Sequence, residues 1–363
     1  MLRGDLLPVN IATPSTGRPP LPVSQTPSAP TVPAARESDD ALTRLTALLA
    51  DDMAVLNQEI LDRMHSEVAL IPTLASYIVA SGGKRVRPAL TIAAARLCGY
   101  EGDRHARLAA VVEFIHTATL LHDDVVDESD LRRGQASANE VFGNKPSVLV
   151  GDFLFSRAFE LMTEDGSLDV LRTLSRASAV IAEGEVLQLA AQNDLKTDEA
   201  LYLKVIDGKT ASLFAAAASV GGITAGAGPV QLAALDTYGR ALGMAFQLVD
   251  DVLDYSANQA RLGKTVGDDF REGKVTLPII LAHADGDETE RAFWARTLET
   301  QEIGEGDLDH AMRLLGRHRG LDRTIERARA YGDQALAALE ALPAHAIRDI
   351  LADLVSFVVE RDY

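Results

Sequence analysis

Two stretches of this chain run an apolar segment into Asp-Asp-x-x-Asp: Leu120-Leu121-His122-Asp123-Asp124-Val125-Val126-Asp127 and Phe246-Gln247-Leu248-Val249-Asp250-Asp251-Val252-Leu253-Asp254. On a helix, residues four apart stand one above the other on one face, so Asp123 converges with Asp127, and Asp250 with Asp254. Like charges at that spacing repel and cost an isolated helix a few tenths of a kcal/mol. A single acidic cluster is ordinarily a solvated helix face. Two copies beside Val and Leu imply instead that something positive sits between the carboxylates. Hard divalent cations bind carboxylate oxygen, and Mg2+ takes one or two carboxylates together with waters and substrate phosphates.

Basic residues gather around both motifs. Gly82-Gly83-Lys84-Arg85-Val86-Arg87-Pro88 precedes the first, and Asp130-Leu131-Arg132-Arg133-Gly134 follows it. Gly208-Lys209-Thr210, Gly263-Lys264-Thr265 and Glu272-Gly273-Lys274 flank the second. Any one of these cations alone is explained by surface solubility. Grouped around metal-binding carboxylates they imply a diphosphate bridged by Mg2+, since Arg grips phosphate as a planar fork and Lys as a point charge. Neither Gly-Lys-Thr is a nucleotide-binding P-loop, because Leu203 and Asn258 stand where that loop requires its upstream glycine.

The 363 residues are 47% hydrophobic, ample for a large core, and 35 basic against 53 acidic residues give a formal charge of −18. That balance argues against a nucleic-acid binder. The single Cys98 excludes an intrachain disulfide framework, fits a reducing compartment and so a cytoplasmic location, and its setting reads as a core thiol. The N-terminus lacks a secretory pattern. Residues 210–235 contain no charged residue and are long enough to span a bilayer, but Ala dominates and Gly221, Gly222, Gly226, Gly228 and Pro229 break the run. A buried helix and a Gly-rich turn account for it better, so no transmembrane segment is expected.

The elements that must position these groups are helices. Residues 1–38 are crowded with Pro, Ser and Thr and read as a disordered tail, followed by one helical domain over 39–363. Leu42, Leu45, Leu49, Met53, Leu56, Ile60 and Met64 mark a long amphipathic helix capped by Asp39 or Asp40, and another ends near Ala80. Further helices are expected at 88–98, 104–128, 146–163, 168–192, 198–219, 229–256, 274–284, 288–299, 307–338 and 345–360. No alternating run supports a strand. The architecture is therefore all-α, one large bundle of long helices around a central cavity.

With Gly-Lys-Arg-x-Arg-Pro, Asp-Asp-x-x-Asp followed by Arg-Arg-Gly, Gly-Lys-Thr, and Phe-Gln-x-x-Asp-Asp-x-x-Asp in that order, the chain resembles the trans-isoprenyl diphosphate synthases (polyprenyl synthetases) from about residue 42 to its end. The resemblance implies the isoprenoid-synthase type of bundle and a Mg2+-dependent, head-to-tail condensation of isopentenyl diphosphate onto an allylic diphosphate primer. Asp123 and Asp127 would hold two Mg2+ ions against the allylic diphosphate and Asp250 a third, with Asp124 and Asp254 in support. Arg132, Lys209 and Lys264 would grip the same diphosphate, Lys274 nearby. Lys84, Arg87, His116 and Arg133 would form the isopentenyl diphosphate pocket, and Thr210 and Gln247 would aim oxygen dipoles at the allylic cation. Asp268 and Asp269 divide between an outer metal shell and an exposed loop; Asp152 and Gln188 match family positions without an assigned role. A homodimer is implied by resemblance alone.

In this family, large residues just before the first aspartate motif block the tunnel for the growing tail. Here those positions are the small Ala118 and Thr119, with Ile115 and Val111 farther along the helix. The helix over 104–123 is about 30 Å long, enough to line a tail of many units, and the resemblance implies a product of roughly forty to fifty carbons, suited to a quinone side chain. A shorter-chain, geranylgeranyl-type synthase and a non-catalytic subunit of a heteromeric synthase are the alternatives; the latter predicts eroded motifs, whereas every aspartate and arginine here is intact. A terpene cyclase does not need the second motif with Lys84, Arg87 and Arg133, and a structural Ca2+-binding bundle leaves the cations unexplained.

Overall fold

The computed structural model describes residues 40–360, apart from 81, 82, 84, 133, 134 and 257–265, and gives only the backbone of 79 and 80. The Pro-rich segment 1–38 lies outside the described residues. The chain opens with α1 (Ala41–Leu48), α2 (Ala50–Arg63) and α3 (Leu70–Ala80), followed by α4 (Val86–Leu97) and α5 (Arg104–Val126). A two-stranded hairpin, β1 (Leu131–Arg132) and β2 (Gln135–Ala136), leads to α6 (Ala138–Phe142), α7 (Asn144–Asp165) and α8 (Leu168–Ala191). Then come α9 (Glu199–Ile206), a π-helical turn at Asp207–Ala211, α10 (Ser212–Thr224) and α11 (Pro229–Leu253). The rest is α12 (Asp268–Arg271), α13 (Leu277–Asp285), α14 (Glu288–Trp294), a second π turn at Ala295–Glu299, α15 (Asp307–Arg317), α16 (Gly320–Leu339) and α17 (Ala346–Val359).

The all-α expectation holds, with local differences. The first long helix is broken at Leu49, and Asp40 caps it by accepting the Thr43 N–H at 2.7 Å. Residues 307–338 form two helices, because Arg319 takes a left-handed φ of 53° between Gly316 and Gly320. The hairpin contradicts the expectation of no strand: two pairs, Leu131↔Ala136 and Arg132↔Gln135, are too short to leave an alternating pattern in the sequence. Among the described residues no helix is long and apolar enough to cross a membrane.

The two motif-bearing helices occupy the middle of the bundle. α5 is buried on nearly every side, by Leu108 to Val112, Phe114, Ile115, Ala118 and Leu121, and packs against α2, α4, α7 and α10. α11 packs against α10 on one side and α16 on the other. Its first half, with Leu235, Tyr238 and Leu242, joins the larger apolar core; its second half, with Leu248, Val249 and Val252, joins a smaller core built with α9 and α13 to α16. α10 lies between α4 and α11 and is buried almost throughout, which its Ala-rich sequence permits. A Cβ on Gly221 would stand 2.3 Å from the Thr91 carbonyl oxygen of α4, so that contact is backbone against backbone. Thus the uncharged stretch read from the sequence is a core helix held close by small residues.

Candidate active site

Each central helix ends in carboxylates. Asp127 is the C-cap of α5, its N–H bonded to the Asp123 carbonyl at 2.7 Å; Asp254 is the C-cap of α11, bonded in the same way to Asp250 at 3.1 Å. A helix C-terminus carries partial negative charge and favours Lys or Arg. Placing acid there twice works against local helix stability, which is expected only where function requires it.

The four carboxylates line one cavity of about 530 Å3. Its walls come from the start of α4 (Arg87), from α5 (His116, Thr119), the hairpin (Arg132), α8 (Glu185, Gln188), α9 (Tyr202), the first π turn (Lys209, Thr210) and segment 268–276. Burial pushes the carboxyls of Asp123, Glu185 and Asp251 up, and raises Asp254 to about 6. Asp269 is raised well above the usual range by burial and then by Asp254 and Asp251. So much buried acid, short of positive charge, fits a site for cations. Among the described residues no three His, Cys, Asp or Glu side chains meet in a ready-made metal cage. A hard ion here would complete its shell from water and substrate oxygen, as Mg2+ does.

Two lysines lie among these acids. Lys209 Nζ donates to Glu185 Oε2 at 2.7 Å and stands 3.7 Å from Asp123 Oδ2. Lys274 Nζ lies 3.3 Å from Asp127 Oδ2 and 2.6 Å from Glu272 Oε2, tying the end of α5 to the segment after the second motif. Burial alone would lower the Lys274 pKa, but Asp269, Asp127 and Glu272 together raise it, so it stays charged.

The sequence 207–211 forms a π turn because two glycines let helices touch there. A Cβ on Gly184 of α8 would stand 2.8 Å from the Lys209 backbone nitrogen, and one on Gly208 would stand 3.2 Å from Gly184 Cα. A widened turn pressed against α8 carries Lys209 and Thr210 to the cavity; such bulges are frequent at functional sites. Thr210 Oγ1 donates to Gln247 Oε1 at 2.8 Å, Gln247 Nε2 donates to Asp251 Oδ1 at 2.7 Å, and the Tyr202 hydroxyl donates to Asp251 Oδ2.

Two of the four expected isopentenyl-side residues meet: Arg87 Nη1 is 3.1 Å from His116 Nε2, and the Arg87 guanidinium carbon lies 4.4 Å from the Phe214 ring centroid. Lys84, Arg133 and Lys264 lie outside the described residues. Asp268 and Asp269 both line the cavity, and Asp254 accepts their backbone N–H groups at 3.3 and 3.1 Å, which fixes that loop. Gln188 also lines the cavity. Asp152 does not; it faces His122 across 3.5 Å.

Three expectations need correcting. Asp124 is turned away from the cavity and buried; its Oδ1 accepts from Arg132 Nε at 2.7 Å and from a second guanidinium nitrogen. It holds Arg132 instead of supporting a metal, because neighbours on a helix point about 100° apart. Ala118 and Ile115 do not line the cavity, nor does Val111; all three have no exposed surface. The cavity follows α5 only as far as Thr119 and His116; a separate opening of about 50 Å3 adjoins α5 at Glu113, Phe114 and Thr117. Thr119, whose hydroxyl donates to the His116 carbonyl at 2.7 Å, is the one chain-length position that faces the space.

Sequence reasoning missed Glu185, Tyr202 and the separate part played by Asp251. A Glu in the mostly apolar α8, beside the packing residue Gly184, was the available signal for the first. Nothing local distinguishes Tyr202 from a core aromatic.

Residues 68–315 match the family model for polyprenyl synthetase. The chain is 51% identical over 321 residues to octaprenyl diphosphate synthase of Escherichia coli (strain K12), covering 88% of this chain and 99% of that one. Among solved structures, a decaprenyl diphosphate synthase from Rhodobacter capsulatus matches with a TM-score of 0.85 at 56% identity, over 88% of this chain and 99% of that one. A polyprenyl synthase from Caulobacter crescentus CB15, complexed with calcium and isoprenyl diphosphate, matches with a TM-score of 0.86 at 51% identity, over 90% and 99%.

Proposed function

The chain belongs to the polyprenyl synthetase family and is a long-chain trans-prenyl diphosphate synthase, and on that premise we propose how its own residues divide the work. The allylic carbon–oxygen bond breaks with its electron pair leaving on diphosphate, which puts one positive charge on carbon and one further negative charge on the diphosphate. Lys209, Lys274 and Arg132, together with Lys264, take up the negative side of that separation. Asp123, Asp127 and Asp250, supported by Asp254, would hold Mg2+. When bound, that ion supplies Lewis-acid stabilisation of the departing diphosphate. The acid-rich cavity supports this, as does the Caulobacter protein's complex with calcium, another hard cation.

Arg87 and His116, with Lys84 and Arg133, would hold isopentenyl diphosphate so that its double bond faces the cation. A carbon–carbon bond forms, and a proton leaves to the released diphosphate. Thr210 and Gln247 turn oxygen dipoles toward the cation, while Leu120, Val205, Ile206 and Phe246 exclude the water that would quench it.

A product of roughly forty to fifty carbons is proposed, because Thr119 is small where the cavity meets α5; a cavity of this size suits the short substrates but not the whole of such a chain. The tail would then part the packing along α5, past the small Ala118 and the aliphatic Ile115. Three Mg2+ ions, a quinone side chain as the product's use, a cytoplasmic location consistent with the single Cys98, and a tail–domain boundary near residue 39 belong to the same reading. A homodimer does too; exposed Leu149 and Phe159 on α7, with Val186 and Leu189 on α8, support it.

The observation that carries the proposal is that both aspartate-ended helices open on one cavity containing Lys209 and Lys274. The test is diphosphate release in Mg2+ with isopentenyl and allylic diphosphates together and separately. Release only with both is expected. Release from the allylic substrate alone would indicate a cyclase, and no release a non-catalytic subunit. Chromatography of the dephosphorylated product separates a long chain from a geranylgeranyl-type one.

A further inference from the structure

The relay Tyr202–Asp251–Gln247–Thr210 has a direction, and the direction has a chemical consequence. All four side chains line the cavity, and Tyr202, Asp251 and Thr210 are buried. Asp251 sits in the middle of the second aspartate motif, yet its two oxygens are engaged by Tyr202 and by Gln247. The first motif behaves alike, since its middle residue Asp124 holds Arg132. Asp251 accepts on both oxygens, from the Tyr202 hydroxyl and from Gln247 Nε2, so the Gln247 NH2 faces Asp251 and its carbonyl oxygen faces Thr210. That oxygen also only accepts, so it takes the single hydroxyl hydrogen of Thr210. What Thr210 has left to offer the cavity is lone pairs.

We infer that Tyr202 and Asp251 are positioning residues that fix the orientation of the Gln247 amide and so make Thr210 present lone pairs, and never its hydrogen, to the reacting carbon. The inference rests on the reading that the allylic cation forms beside Thr210. Oxygen lone pairs set in place beforehand stabilise a developing cation, whereas a hydroxyl hydrogen in the same place opposes it.

The test is to reverse the relay without changing its shape. Asp251→Asn replaces one acceptor oxygen by an NH2 group. The Tyr202 hydroxyl keeps the remaining oxygen, so the new NH2 faces Gln247 and demands an acceptor. Gln247 must turn over, its own NH2 then donates to Thr210, and the Thr210 hydrogen is released toward the cavity. The expected result is a kcat lower by about 10²-fold, while KM for both diphosphates and the Mg2+ requirement move by less than about twofold. Adding Gln247→Glu to Asp251→Asn supplies acceptor oxygens to both neighbours and should restore kcat about tenfold over Asp251→Asn. Gln247→Glu alone sets one carboxylate against another and should lose activity. Such mutual rescue is not expected of residues that merely hold the fold.

Four results would overturn the inference: a kcat for Asp251→Asn within about twofold of the parent, a loss cured by excess Mg2+, a double variant no better than Asp251→Asn, or an undiminished kcat for Tyr202→Phe. Tyr202→Phe removes a single oxygen and serves if Asp251→Asn does not fold; freeing one side of Asp251 should lower kcat about tenfold at unchanged KM. A parent enzyme that releases no diphosphate from the two substrates overturns the functional reading and this inference with it. An active parent combined with any of the four results overturns the inference alone.

Discussion

Replacing Gly184 by Ala should separate activity from stability, because the added methyl group meets the backbone that carries Lys209 and Thr210, to which the proposed function gives catalytic roles. The new Cβ would stand 2.8 Å from the Lys209 nitrogen and 3.0 Å from the Gly208 carbonyl carbon, where ordinary contact begins at 3.4 Å. To reach ordinary contact the π turn must therefore back away from α8 by 3.4 − 2.8 = 0.6 Å. Neither contact atom is the end of a flexible side chain, so the shift passes to Lys209 and Thr210. Displacing catalytic groups by about 1 Å costs on the order of 10²-fold in rate, and overpacking a core typically costs about 1–3 kcal/mol of stability. Gly221→Ala is the control. Its Cβ clashes with the Thr91 carbonyl at 2.3 Å, away from the site, so it should cost stability of the same order while the folded fraction turns over normally. Thermal melts and steady-state diphosphate release on both variants decide the matter. A Gly184→Ala enzyme that is destabilised yet keeps kcat within about twofold would show that the π turn does not position Lys209 and Thr210 for chemistry.

Other changes should act in distinguishable ways. Asp123→Ala or Asp250→Ala should lower kcat by about 10²–10³-fold with the fold intact, and near-normal turnover in saturating Mg2+ would contradict the metal assignment. Arg132→Ala should lose stability as well as rate, about 1–3 kcal/mol by chemical denaturation, because it strands the buried Asp124 carboxylate; an unchanged midpoint would mean that Asp124 finds another partner. Arg87→Ala should raise KM for isopentenyl diphosphate far more than KM for the primer, with Lys209→Ala doing the reverse or lowering kcat; equal effects on both substrates would show the pockets to be misassigned. Thr119→Tyr should stop elongation at about fifteen to twenty carbons, one or two helical turns deep, while the first condensations proceed; full-length product from a folded variant would show that the tail does not pass Thr119.

Helix class and the aspartate pairs were legible in the sequence, because both depend on spacing along one chain. A three- and four-residue apolar period leaves a helix little choice, and Asp at i and i+4 must share a face wherever that helix goes. The grouping of cations along the chain around the motifs was legible for the same reason, and the structure brings Arg87, Arg132, Lys209 and Lys274 of that group to the cavity. What the sequence could not determine is which way each side chain turns once helices meet. Asp123 and Asp124 are chemically identical neighbours, and only packing sends one to the cavity and the other to Arg132. Ala118 and Thr119 are both small, and only the closure of neighbouring helices over α5 leaves Thr119 facing the space. The π turn depends on Gly184 meeting Gly208 across two helices, and the hydrogen-bond relay joins α9, the π turn and α11. Contacts of that kind arise when separate helices are brought together, and no periodicity within one segment encodes them.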